Sequence, residues 1–84
     1  VVITKAGVAA LTLADPTATV DDYKTLTIVS VTAAAHTVTN TTGFNAGGAG
    51  SDVATYSAAK GACLVLVAYQ GVWYTRSLTS VTLA

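Results

Sequence analysis

Two side chains in this 84-residue chain have the chemistry of a nucleophile and its base: the single cysteine, Cys63, and the single histidine, His36. A thiol activated by an imidazole would attack a carbonyl carbon and form a covalent intermediate. The flanking residues argue against that pairing. Cys63 opens the most apolar run of the chain, CLVLVAY, where a thiol serves as a small apolar filler. The acid nearest to His36 in sequence is Asp22, and no nucleophile motif surrounds Ser30, Ser51 or Ser77. His36 therefore reads as a strand residue bonded to backbone or water, Cys63 as inert core, and no catalytic residue is assigned.

Other chemistries find less support. One Cys, one His and four scattered Asp show none of the ligand spacings of zinc or calcium sites, so no metal and no cofactor is expected. The glycines of GFNAGGAGSD lack the G-x-x-x-x-G-K-[ST] pattern and a strand-to-helix context, which leaves a mobile surface loop rather than a phosphate cradle. Asp21-Asp22 is the only acidic pair, and loop solvation accounts for it. Tyr56, Tyr69, Trp73 and Tyr74 could line a sugar-binding platform, since aromatic rings combine an apolar face with a polar edge. Their spacing around a hairpin favours a place in the core or in a subunit interface.

Composition narrows the class further. The chain is 52% hydrophobic and only 10% charged, against the ~25% charged residues usual in soluble domains. A single domain of this length buries only roughly 60–65% of the surface that its unfolded form exposes. Much apolar surface then remains outside, and large apolar patches mark contact surfaces. Self-association is the expectation, because neither a disulfide framework nor a metal site is present to staple so small a fold. Four basic residues balance four acidic ones without clustering, which removes the electrostatic handle for nucleic acid or an anionic membrane. No apolar run approaches the ~20 residues that cross a bilayer, and the opening VVITKAG does not read as a signal peptide. Beginning at Val, the chain reads as a processed product or as part of something longer.

The elements that would position these residues are all strands. Residues 62–77, ACLVLVAYQGVWYTRS, read as two strands folded back at Gln70-Gly71, with the first buried. Upstream, short strands are expected over 1–4, over 8–14 with Ala9, Leu11 and Leu13 inward, and over 23–32 with a bulge or burial on both faces at Ile28-Val29. Ala33-Ala34-Ala35 is too short to nucleate a helix. HTVTNTT, over 36–42, fits an edge strand with one wet face. Phe44 pins one end of the glycine-rich loop, 53–57 forms a further strand, and 78–84 a last one. The fifteen threonines fall mostly on strand faces opposite the apolar residues. Together these predict a single all-β domain over 1–84, an antiparallel β-sandwich or barrel of seven or eight short strands.

The segments DDYKTLTIVSVTAAAHTVT, GFNAGG and SDVATYSAAKGACLVLVAYQGVWYTRS resemble a small β-domain of virion proteins from tailed bacteriophages, over about Ile3 to Ala84. The resemblance implies a non-enzymatic protein that decorates or stabilises the capsid surface, or a module of a tail fibre. It also implies assembly as a homotrimer, the major capsid protein as partner, and a place on the phage head. It brings no catalytic residues. Tyr56, Tyr69, Trp73 and Tyr74 are the residues expected at an oligomer or partner interface. The alternative expectation is a receptor- or glycan-binding module of a tail fibre.

Overall fold

The structure is a computed structural model that describes every residue from Val1 to Ala84. Eight strands form it: β1 (Val2–Ile3), β2 (Ala10–Thr12), β3 (Thr25–Ser30), β4 (Thr37–Thr39), β5 (Val53–Tyr56), β6 (Cys63–Tyr69), β7 (Val72–Thr79) and β8 (Val81–Leu83). They build two four-stranded sheets, ordered β1-β3-β6-β7 and β2-β4-β5-β8. The all-β character and strand number match the pattern of alternating apolar residues. Four pairings are antiparallel, and the two that bring in β1 and β2 are parallel.

The β6–β7 hairpin is the longest-paired unit and the best specified locally. Gln70 (φ 48°) and Gly71 (φ 79°) both take left-handed backbone, as a two-residue turn of the primed type requires. On β6, Leu64, Leu66 and Ala68 point inward and are wholly buried, while Cys63, Val65, Val67 and Tyr69 point outward. The β3 run Ile28-Val29 is buried on one side and apolar on the other, Ile28 pairing with Leu64 and Val29 with Cys63. The bulge lies elsewhere, where β7 meets the Val65/Leu66 step and Arg76 has no partner. At Ser80 (φ 55°) the chain leaves β7 and enters β8 in the other sheet, so one continuous segment stitches the two layers together.

Between the sheets lies one core. Ile3, Ile28, Leu64 and Leu66 come from the first sheet, Val38, Ala54, Tyr56 and Val81 from the second, and Phe44 closes it from a loop. Burial of each large side chain contributes on the order of 1.5–3 kcal/mol. β4 is an interior strand between β2 and β5, not the edge that its lone Val38 among threonines implied. Thr37 and Thr39 supply its outward face, and that pattern is the same whether or not a further strand pairs beside it.

The glycine-rich segment is folded rather than a free loop. Phe44–Ala46 and Gly48–Gly50 each make a short 3₁₀ turn, with Phe44 fully buried. Gly43 (φ 92°) lies against the Gly48 backbone so closely that a Cβ there would stand 2.3 Å from the Gly48 nitrogen. Only glycine fits that approach.

Candidate interaction surface

His36 is held by a closed relay of hydrogen bonds. Its Nδ1 accepts the Ala9 N–H at 2.9 Å, and its Nε2 lies 2.9 Å from Thr32 Oγ1. The Thr32 hydroxyl donates its one proton to the Lys5 carbonyl at 2.7 Å, so its oxygen must accept from Nε2–H. Both ring nitrogens are committed, and the imidazole is a neutral crosslink joining the segments before β2 and β4. It is buried, whereas Cys63 lies on the outward side of the other sheet, partly exposed between Val29 and Thr79. The two do not form a pair, and Cys63 is not the core residue that its apolar neighbours suggested. The reason is that β6 is apolar on both faces, so hydrophobicity alone does not tell inside from outside.

The four aromatic residues expected to act together are divided by the fold. Tyr56 is completely buried and donates its hydroxyl to the Ile28 carbonyl at 2.7 Å, so it has no surface to give to an interface or a sugar. Burial, with the Cys63 thiol nearby as a smaller cause, holds its phenol above the usual value. Trp73 packs against the rim of the core and donates its indole N–H to the Ala14 carbonyl at 2.9 Å. Tyr69 and Tyr74 remain on the outward face, Tyr69 paired with Val72 and Tyr74 with Val67.

Tyr23 is the residue that sequence pattern did not single out. It stands outside β3, 76% exposed with φ 68°, and its ring centroid lies 5.9 Å from that of Tyr69. The acidic pair holds it there instead of merely solvating a loop. Asp21 pairs with Lys24 Nζ at 2.9 Å and accepts the Thr17 N–H at 2.8 Å, and these bonds, the first above all, keep its carboxyl below the ordinary 3.8. Asp22 accepts from the backbone N–H of Gln70 at 2.8 Å and from its side-chain amide at 2.7 Å, tying the segment to the β6–β7 turn.

The two outward faces differ in chemistry. In the β2-β4-β5-β8 sheet, Thr37, Thr55 and Thr82 stand side by side across three strands, with Thr12 beside Thr39 in the next row. In the β1-β3-β6-β7 sheet, Val2, Val29 and Cys63 form one row and Val65 and Val67 carry the stripe along β6 towards Tyr69. Arg76 is the only charged residue within the four strands of that sheet. No concave pocket opens on either face, and no group of three metal-ligating side chains converges anywhere.

A last surface feature is the free edge of β7. The Asn45 side chain reaches it, accepting the Thr75 N–H at 2.8 Å and donating to Thr75 Oγ1 at 3.0 Å. A side-chain amide thus takes the place of a neighbouring strand and blunts the edge. No protein-family profile, characterised protein or solved structure matches the chain.

Proposed function

We propose that this chain is a structural protein of a tailed-bacteriophage virion that decorates and stabilises the head shell as a homo-oligomer, without enzymatic activity. The observation that carries the reading is the outward face of the β1-β3-β6-β7 sheet, whose central strand presents Cys63, Val65 and Val67 to the outside in a sheet with one charged residue. A face of that composition gains free energy by being covered. The likeness of DDYKTLTI, AAHTVT and LVAYQGVWY to virion β-domains supplies the setting, and with it the trimer and the major capsid protein as partner. A protein of this kind acts by mass action: contacts made only with the assembled shell lower the free energy of that state relative to free capsomers. The threonine face, uncharged and rich in hydroxyls, suits the side left to water.

The test is co-sedimentation with expanded, undecorated heads of the phage that encodes the chain. Saturable recovery in the head pellet at a fixed ratio is the expected result. Recovery of all the protein in the supernatant overturns the reading.

The Tyr23–Tyr69 pair favours a second reading, a glycan- or receptor-binding module of a tail fibre, because two exposed rings side by side offer a stacking surface. Glycan-array binding that disappears in Tyr69→Ala, with circular dichroism unchanged, would favour it over head decoration.

A further inference from the structure

We infer that copies of this chain meet through the outward face of the β1-β3-β6-β7 sheet, with the Val65–Val67 stripe of β6 packed against the same stripe of neighbouring copies around a shared axis. The inference rests on the oligomeric reading above and names its surface. Three observations select the face and the occupant.

The first is the pattern of β6 itself. A strand covered on one side alternates apolar and polar residues, as β4 does with Thr37, Val38 and Thr39. On β6 the outward positions Cys63, Val65, Val67 and Tyr69 are as apolar as the buried Leu64, Leu66 and Ala68. That is the pattern of a strand covered on both sides.

The second is charge. A partner that brought carboxylates or ammonium groups to this stripe would strip them of water with nothing to pair them, which is costly. The chain's own stripe brings none. The rows Thr27–Val65–Ser77 and Thr25–Val67–Tyr74 place small hydroxyls and the Tyr74 ring beside the valines, and Arg76 stands apart at the β7 bulge, so the β6 stripes can pack together without burying a charge.

The third is area. Seven residues of β6 at about 3.3 Å each, and four strands about 4.8 Å apart, define a face of roughly 350–450 Å² in projection. A stable interface of standard size removes about 800 Å² of accessible surface per partner. A contact through this face alone, about half of that, lies below the standard range and is that of a weak association. The assembly forms and dissociates reversibly with concentration, and a shell that presents many sites adds avidity. Tyr69, with Tyr23 against it, extends the patch at one end.

The native thiol reports on the contact without any substitution, since Cys63 is partly exposed within the stripe. The experiment follows thiol modification by an aromatic disulfide reagent across a dilution series, alongside sedimentation of the wild type, Val65→Asp, Val67→Lys and, on the opposite sheet, Thr55→Asp. The expected result is at least tenfold slower modification in concentrated than in dilute wild type. Val65→Asp and Val67→Lys should sediment as folded monomers, and Thr55→Asp should assemble as the wild type does. A modification rate independent of concentration in a protein that assembles overturns this face as the interface and leaves the oligomeric reading standing. A wild type that stays monomeric throughout removes both.

Discussion

The Tyr56 hydroxyl on β5 donates to the Ile28 carbonyl on β3 at 2.7 Å, a single buried hydrogen bond that runs from one sheet to the other. Ile28 faces Leu64 within its own sheet, so the bond anchors the centre of the core and not its margin. Replacing Tyr56 by Phe leaves the ring in place and removes the donor. Chemical denaturation should show a loss of about 1–3 kcal/mol with the circular dichroism spectrum retained.

The same phenol gives the fold an alkaline limit. Its pKa is raised above 10.0 by burial, so in alkaline solution the folded chain keeps a proton that the unfolded chain releases. The associated stability is complete below pH 10 and declines as pH rises beyond it. Ultraviolet titration should find one of the four tyrosines resisting ionisation until the protein unfolds, and in Tyr56→Phe that resistant component should be absent.

At the other end of the pH scale, Asp21 holds the 16–24 segment through Thr17 and Lys24. Its folded carboxyl is below 3.8, so the unfolded chain binds the proton more readily and the contribution, complete above that value, fades as pH falls through the lower folded one. The exposure of the pair keeps the effect on global stability small. Proton NMR should show the Thr17 amide losing its downfield shift on acidification, and Asp21→Asn should remove that transition.

His36 should appear as the neutral Nε2–H tautomer in long-range proton–nitrogen spectra, since Nδ1 accepts the Ala9 amide and Nε2 donates to Thr32. His36→Ala leaves the Ala9 amide without its acceptor and opens a cavity. A destabilisation of roughly 2–4 kcal/mol is the expected outcome in urea titration.

Asn45 protects the β7 edge, and Gly43 allows the loop that carries it. Asn45→Ala should cost little stability but increase aggregation on warming, read by light scattering, because the Thr75 N–H is then free to pair with another chain. Gly43→Ala should cost considerably more, since its Cβ meets the Gly48 backbone and displaces the turn that buries Phe44.

How much of this was legible in the residues varies with the range of the interaction. The β6–β7 hairpin declares itself locally, through an apolar run, a Gln-Gly turn and a second run. Phe44 was readable as an anchor because one large aromatic stands among glycines and alanines. The docked state of its loop was not, because the bond from Asn45 to Thr75 spans 30 residues and leaves no periodic trace. The interior position of β4 depends on the parallel pairing with β2, which short-range alternation does not encode. Tyr23 escaped notice as half of an aromatic pair because its partner is 46 positions away, brought near by Asp22 holding the Gln70 turn.

The central claim is that an exterior sheet face this apolar is covered by further copies of the chain. Sedimentation velocity of the wild-type protein from low to high micromolar concentration tests it most directly. A weight-average mass that rises from 8.4 kDa towards an integral multiple is the predicted result. A mass fixed at 8.4 kDa over the whole range would contradict it.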